Sequence, residues 1–295
     1  MAPGGSTAES GASRATRRLI INADDFGFSE GVSRGIMEAH IAGGVTSASM
    51  MVNTPGFDAA ARLAARTPSL DLGLHLNLTV GPPVAPADRV SSLLDLERGE
   101  FVSLGVLVRR ALGGQLRPEH VAAECAAQLD RLRSAGITPS HIDSHRHVHA
   151  LPGVLTAVAS AAIEAGVRIV RAPLEPLAIN SFQLPALVTK ALILGAWLSG
   201  EHARAIDGRF IRVDHFRGIS LQGISDFAAG LRKTIEALPA GTTELMVHPG
   251  HADPELRALD GYADAREREL EVLLSGELPR VARDAGVSLI SFAEL

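Results

Sequence analysis

The sequence predicts an α/β protein whose strands and helices form a distorted (β/α) barrel. Short apolar segments of strand length alternate repeatedly with helical patterns, which favours parallel strands joined by crossover helices. Ionisable residues directly follow several of these segments, as expected where a site forms at the carboxyl ends of barrel strands. An open, doubly wound sheet is the alternative, although no glycine-rich nucleotide-binding pattern follows a predicted strand.

Each predicted strand is a short apolar run that ends at a turn-forming or ionisable residue. In the third strand, His75 and Asn77 alternate with leucines, which is the period of a strand with one polar face. The predicted strands are Leu19–Ala23, Val45–Val52, Leu70–Leu78, Ser140–Ser144, Arg168–Arg171, Thr243–Val247 and Val287–Ser291.

The predicted helices are indicated by their end signals and apolar stripes. Ser29 or Ser33 can cap the first helix, which glycines stop after Ala42, and Pro118 suits the first turn of the third. Gly136 and Gly166 end two later helices. The predicted helices cover residues 29–42, 57–66, 118–135, 152–165, 184–198, 224–238 and 263–274.

The chain is expected to form a single barrel domain over residues 18–295. Residues 1–17, rich in glycine, alanine and serine, lack the apolar core of a secretory signal and are expected to be a disordered tail. Two segments, 79–117 and 174–222, are long for plain connections. We therefore expect both to be excursions that shape a site.

The most apolar stretch of the chain is Leu184–Leu198. It is shorter than the roughly 20 residues that span a bilayer, and Lys190 interrupts it. We expect a buried or capping helix rather than a membrane span, with peripheral membrane contact as the alternative.

Composition excludes several functional classes. The 295 residues include 28 Lys and Arg against 33 Asp and Glu, so no basic surplus exists to neutralise nucleic-acid phosphates. Cys125 is the single cysteine of the sequence, which excludes an intramolecular disulfide and a thiolate-rich zinc site. It lies on an apolar helical stripe, as a core residue would. This cysteine usage suits a reducing compartment, and we expect a cytoplasmic protein.

Ionisable residues cluster where the predicted strands end, and they are expected to converge at one end of the barrel. The clusters are Asp24 with Asp25, His75, the histidine-rich segment His141–His149, and His248 with His251. If the fourth strand continues, His141, Asp143 and His145 share a face. The sequence does not decide which of these histidines bind.

One carboxylate and two imidazoles make a ligand set that leaves coordination positions open on a metal ion. Open positions are typical of catalytic rather than structural sites. A second carboxylate nearby can serve as general base, and a further histidine can donate a proton to a leaving group. This combination favours hydrolysis of an amide or an ester.

Three motifs in order resemble the YdjC-like family of carbohydrate deacetylases. They are residues 22–27 (NADDFG), 73–79 (GLHLNLT) and 141–149 (HIDSHRHVH). The resemblance extends over about residues 18–295, with His248-Pro249-Gly250 and the carboxyl-terminal segments agreeing. The family includes chitooligosaccharide deacetylases and a branch associated with hopanoid biosynthesis.

The resemblance implies a distorted (β/α) barrel of the glycoside hydrolase/deacetylase type that removes acetyl from a small N-acetylated sugar. It also implies one divalent metal ion, with magnesium and zinc the favoured candidates, and is compatible with a homodimer. Matched position by position, it implies Asp25, His75 and His145 as metal ligands, Asp24 as general base, His248 near the leaving group and Arg171 as the residue that orients the base.

Two alternative functions remain at this point. One is a metal-assisted hydrolase of another ester or glycoside, and the other is a non-catalytic sugar- or metal-binding protein. The segment Leu184–Phe216 departs from the chitooligosaccharide branch, and its apolar helix is closer to the hopanoid-associated branch. The acetylated sugar, the metal, and the contributions of His147 and His149 therefore stay open.

Overall fold

The computed structural model describes residues 16–177, 184–198 and 208–295. Most of the predicted tail, residues 1–15, and two parts of the second excursion, residues 178–183 and 199–207, lie outside the described residues. The first strand begins at Arg17, the last residue of the segment predicted as tail.

Strands and helices alternate along the described chain. The strands are β1 Arg17–Phe26, β2 Ser47–Met50, β3 Asp71–Leu76, β4 Leu94–Asp95, β5 Glu100–Phe101, β6 Ile142–Ser144, β7 His215–Arg217, β8 Gly241–Val247 and β9 Val287–Leu289. The helices are α1 Glu30–Ile41, α2 Phe57–Arg66, α3 Leu104–Leu112, α4 Pro118–Ser134, α5 Val154–Glu164, α6 Leu184–Leu198, α7 Phe227–Glu236, α8 Pro254–Leu259, α9 Asp264–Leu274 and α10 Leu278–Asp284.

The main sheet is parallel and curls into a half-barrel, which confirms the predicted distorted (β/α) barrel. Its strand order is β6-β3-β2-β1-β8-β7, and β9 pairs with the start of β1. Two isolated parallel bridges, Ile142 to Val170 and Ile169 to Ile211, extend the pairing beyond β6. Because every ladder of this sheet is parallel, the carboxyl ends of its strands meet at the same edge.

Several elements differ from the sequence prediction. Arg168–Arg171 makes only isolated bridges, so it is not a ladder strand as predicted. The first excursion is not irregular throughout, because it contains the antiparallel pair β4–β5 and the helix α3. The two-residue strands β4 and β5 and the three-residue strand β7 are too short to give a period. The short helices α8 and α10 were also not predicted.

The hydrophobic core lies between the sheet and its helices. It contains the apolar faces of α1, α2, α4 and α5, and the buried residues of β1, β2 and β3. Cys125 on α4 belongs to this core, and burial with Glu124 beside it raises the pKa of its thiol to about 12. The thiol is therefore protonated at neutral pH and serves packing.

Helix α6 coincides with the predicted apolar helix. Buried Lys190 ties it to the barrel, with Nζ 2.9 Å from Glu175 Oε2 and 2.5 Å from Ser220 Oγ. Ala186 and Ile193 are also buried, whereas Leu192 is 64% exposed. The helix therefore covers the barrel with one face. Among the described residues, no helix has both the length and the apolar character needed to cross a bilayer.

Candidate active site

The polar strand ends predicted to converge do meet in the structure. A cavity of about 290 Å³ opens at the carboxyl ends of the central strands. Its lining includes Asp24, Asp25, His75, His145, His248 and Arg266. That volume is near the lower end of small-molecule sites.

The backbone at the end of β1 separates the two adjacent aspartates. Pairing with β2 shifts register between Ala23 and Phe26, and Asp25 has a φ of 72°. Aspartate tolerates this left-handed conformation better than most residues. Gly27 follows at φ 94°, where a Cβ atom would lie 2.5 Å from the carbonyl oxygen of Met51. This distortion of the strand end gives the two carboxylates different surroundings.

Asp25 is surrounded by imidazoles and a guanidinium, and we name Asp25, His75, His145 and Arg266 the Asp25 cluster. Its Oδ1 lies 3.1 Å from His75 Nε2 and 2.8 Å from His145 Nδ1. Its Oδ2 lies 2.5 Å from Arg266 Nη2. All four side chains are buried. Burial would raise the pKa of Asp25, but His145 and Arg266 outweigh it and hold that pKa well below its usual range.

The Asp25 cluster fits a divalent cation. One oxygen of Asp25 and one ring nitrogen each of His75 and His145 lie within 4.8 Å of one another. Asp143 Oδ1 lies 2.7 Å from the other ring nitrogen of His75, Nδ1, so it can fix the tautomer that leaves Nε2 as a lone-pair donor. Two imidazoles and a carboxylate suit several divalent ions, so the chemistry of the donors does not select one metal.

The electrostatic field around His75 also favours a cation. Burial would lower the pKa of His75, but Asp143 and Asp24 outweigh it and raise that pKa to about 10. Surroundings that favour a proton on a buried imidazole this strongly also favour a metal ion at the same position.

Asp24 has a different environment, which we name the Arg171 cluster: Asp24, Asp143, Arg171 and Glu244. Arg171 binds both oxygens of Asp24, with Nη1 and Nη2 each at 2.7 Å. The same guanidinium lies 2.6 Å from Asp143 Oδ2 and 2.6 Å from Glu244 Oε1. One buried cation thus fixes three carboxylates that come from different strands.

A second group of potential metal ligands, Asp24, His75 and Asp143, has similar spacing. In this group the Arg171 guanidinium is the cation, because it pairs with both aspartates. The hydroxyl of Ser49 also donates to Asp143 Oδ2 at 2.8 Å. We therefore place the candidate metal centre in the Asp25 cluster.

The carboxylates of the Arg171 cluster differ in their acidity. Burial raises the pKa of Asp24, but the coulombic attraction of Arg171 outweighs it and lowers that pKa. Burial dominates at Glu244, where it raises the pKa to about 7 despite the contact with Arg171. Asp24 is therefore ionised at neutral pH, whereas Glu244 is close to its midpoint.

His248 follows β8 and lines the same cavity. Its backbone N–H donates to Glu269 Oε2 at 2.6 Å, and its ring packs against Tyr262 with centroids 5.7 Å apart. Nε2 lies 3.4 Å from Gln222 Nε2, and Nδ1 has no hydrogen-bond partner among the described residues. The structure thus places His248 where the sequence predicted it.

The histidine-rich segment divides among several environments. The strand ends at Ser144, as predicted, and does not continue to His145, so the condition under which His141, Asp143 and His145 would share a face is not met. His141 stacks on Phe292 with centroids 3.9 Å apart, outside the cavity.

The last two histidines of the segment are His147 and His149, and the backbone is left-handed at Arg146 and His147. His147 has a φ of 53° and lines the cavity. His149 is buried away from the cavity, where its ring contacts the Ser144 hydroxyl and the Arg171 carbonyl.

Two residues of these clusters were not predicted from the sequence. Glu244 could have been found, because a glutamate inside the apolar run of β8 is unusual for a buried strand. Arg266 gave no such signal, because it is one of several charged residues on α9. Its contact with Asp25 joins residues that are 241 positions apart.

Comparisons with known proteins agree with this fold and identify the family. The family profile described as YdjC-like protein matches residues 18–284. A carbohydrate deacetylase of Brevibacillus brevis is 36% identical, covering 94% of this chain and 99% of the relative. A carbohydrate deacetylase of Homo sapiens is 34% identical, covering 96% and 92%.

A solved structure extends the comparison to three dimensions. It is a proposed cellobiose-phosphate cleavage protein from Enterococcus faecalis V583, which superposes with a TM-score of 0.74 at 26% identity over 95% of this chain and 98% of that one. The family match extends over most of the chain, and the chain therefore belongs to the YdjC-like family.

Proposed function

We propose that this protein is a metal-dependent carbohydrate N-deacetylase, which hydrolyses the acetamide of an N-acetylated sugar to acetate and a free amine. Relatives described as carbohydrate deacetylases support the reaction class. The observation that carries the proposal is the convergence of Asp25, His75 and His145 next to Asp24 in one cavity.

The proposed cofactor is one divalent ion, with magnesium and zinc favoured, held by Asp25, His75 and His145. When bound, such an ion polarises a carbonyl oxygen and lowers the pKa of water. Three protein ligands leave positions for both the acetamide and water. Asp143 keeps His75 in the tautomer that this arrangement needs.

Asp24 is the proposed general base. Arg171 holds both of its oxygens and keeps the carboxylate ionised, so it can accept the proton of the attacking water. Asn22 Nδ2 also donates to Asp24 Oδ1 at 2.8 Å, which further fixes the plane of the carboxylate. Arg171 therefore acts as a positioning residue for the base.

His248 is the proposed proton donor to the departing amine nitrogen. Glu269 anchors its backbone, and Tyr262 packs against its ring, so the imidazole keeps its place at the cavity wall. Proton donation converts the amine into a good leaving group as the C–N bond breaks, and the proton accepted by Asp24 balances the step.

The acetamide is favoured over a glycosidic bond as the target. Glycoside hydrolysis requires one carboxylic acid that donates a proton and a second carboxylate across the bond. The pKa of Asp24 and that of Asp25 are both lowered, chiefly by Arg171 in the first case and by His145 and Arg266 in the second. Neither of these two carboxyls is therefore protonated at neutral pH, and Glu244, whose pKa is raised to about 7, is not part of the cavity lining.

The test is acetate release from diacetylchitobiose and from an alkyl glycoside of N-acetylglucosamine. The protein is first chelated, and single divalent ions are then added back. We expect release only with an added ion, and the substrate that reacts identifies the sugar class. Release that chelation leaves unchanged contradicts the metal dependence, and no release from either sugar by the ion-loaded protein contradicts the deacetylase.

A matched pair of histidine variants checks the proton donor. His248→Gln is expected to reduce kcat by about 10²–10⁴-fold, the usual contribution of a general acid. His251→Gln serves as control, because His251 pairs with Glu38 at 2.8 Å and is not part of the cavity lining. Equal activity of the two variants contradicts the role of His248.

A further inference from the structure

Arg266 reaches the candidate metal centre from α9, in the last part of the chain. Its side chain is 1% exposed, and Nη2 lies 2.5 Å from Asp25 Oδ2 and 3.3 Å from Asp260 Oδ2. The other oxygen of Asp25, Oδ1, faces His75 and His145. The two oxygens of one carboxylate are thus divided between a guanidinium and two imidazoles.

Nη2 makes the polar contacts of the Arg266 guanidinium, whereas Nε and Nη1 are buried without a hydrogen-bond partner among the described residues, so two aromatic rings supply its other contacts. Its Cζ lies 5.9 Å from the centre of the Phe28 ring and 5.7 Å from the centre of the Tyr262 ring, which are cation–π distances. Tyr262 is itself fixed, because its hydroxyl donates to Glu269 and accepts from the backbone N–H of Gly223. The two rings and the contact of Nη2 thus place Arg266 beside Asp25.

A carboxylate with one oxygen bound to a fixed guanidinium has only its other oxygen for a metal ion. A two-oxygen contact would occupy a further coordination position that the proposed reaction needs for acetamide or water. We propose that Arg266 is a positioning residue that makes Asp25 a one-oxygen ligand and so keeps the metal centre open. This proposal rests on the metal site of the proposed function.

A merely structural ion pair would stabilise the fold without controlling coordination. The visible absorption of bound Co²⁺ separates the two roles, because the intensity of its bands falls as the coordination number rises. The experiment therefore uses full-length protein loaded with one equivalent of Co²⁺. The measurements are bound cobalt, the visible spectrum and kcat for acetate release.

Arg266→Met has similar length but no donor, so it frees Asp25 Oδ2. We expect it to bind one Co²⁺ with weaker visible bands and with kcat reduced about 10–100-fold, the usual effect of losing a residue that orients a metal ligand. Arg266→Lys keeps a charged donor and is expected to regain the wild-type spectrum and part of kcat. Arg268→Met, at an exposed position of the same helix, is the control and should match the wild type.

The outcomes separate this proposal from the proposed function. If Arg266→Met shows the wild-type cobalt spectrum, Arg266 does not control coordination and this proposal alone is wrong. If the wild type binds no ion, the metal site and this proposal fail together. Should Arg266→Met not fold, Arg266→Gln decides in the same way, because a neutral and shorter side chain cannot maintain the contact with Asp25 Oδ2.

Discussion

The Arg171 cluster and the Asp25 cluster each contain one of two adjacent aspartates of β1, but the two carboxylates have different partners. In the first, one guanidinium bonds to Asp24, Asp143 and Glu244 at 2.6–2.7 Å. In the second, two imidazole nitrogens point at a single oxygen of Asp25. In the Arg171 cluster a protein side chain supplies the cation for the carboxylates, whereas the Asp25 cluster has the donor set of a metal centre.

This difference in partners suits the two roles proposed for Asp24 and Asp25, general base and metal ligand. A base must remain ionised, and Arg171, which binds both oxygens of the proposed base Asp24, keeps that carboxylate ionised. A metal ligand must present an oxygen together with other donors, and His75 and His145 supply those donors around Asp25. The left-handed backbone at Asp25 makes this separation geometrically available.

The largest expected effect distinguishes the two aspartates directly. Asp25→Asn should lose stoichiometric binding of a divalent ion, because an amide is a poorer ligand, and should lose acetate release with it. Asp24→Asn should keep the ion but lower kcat by about 10²–10⁴-fold, because the base is gone. Asparagine suits both positions, since it also tolerates the φ of 72° at position 25.

Metal content by elemental analysis and kcat for acetate release measure this contrast. Near-normal kcat in ion-loaded Asp24→Asn would show that Asp24 is not the base. Normal ion content in Asp25→Asn would remove Asp25 from the metal centre. Loss of the ion in both variants would mean that the two clusters are not separate units.

The next effect concerns stability. Within the described residues, Arg171 is the cation that pairs with all three carboxylates of its cluster. Arg171→Met therefore leaves buried carboxylates unpaired and should lower the free energy of unfolding by about 3–5 kcal/mol, even with a saturating divalent ion.

Urea unfolding with and without the ion measures this loss. Arg168→Met is the control, because Arg168 is exposed and its Nε donates to the backbone carbonyl of Arg209. A loss in Arg171→Met no larger than in the control would show that the three carboxylates do not depend on Arg171.

The sequence predicted the fold class and the meeting of Asp24, Asp25, His75 and His145, because strand ends of a parallel sheet share one edge. It could not predict the division of the 141–149 segment, because the backbone turns left-handed at Arg146 and His147, just after the predicted end of the strand at Ser144. The contact of Arg266 with Asp25 depends on the packing of α9 against the barrel, which no local pattern encodes.

The short strands β4, β5 and β7 show the same limit for the fold. Each has only two or three residues, so tertiary pairing rather than a local period creates it. The predicted strand Arg168–Arg171 forms isolated bridges at Ile169 and Val170 instead of a ladder.

The smallest expected effect tests whether burial or charge governs Glu244. Its pKa is raised to about 7 in the folded protein, from 4.5 in the unfolded chain, because burial outweighs Arg171. A carboxyl group with a raised folded pKa contributes stability below pH 4.5 and loses it as the pH rises through 7. Glu244→Gln lacks this titration but retains an oxygen that can accept from Arg171.

The stability of Glu244→Gln relative to the wild type should therefore increase between pH 5 and pH 8, by on the order of 1–3 kcal/mol. Urea unfolding of both proteins in one buffer series measures the difference, in which the titration of the histidines common to both proteins largely cancels. Glu271→Gln, at an exposed position of α9, should show no such trend. A difference that is constant with pH would mean that Arg171 keeps Glu244 ionised throughout, as it does Asp24.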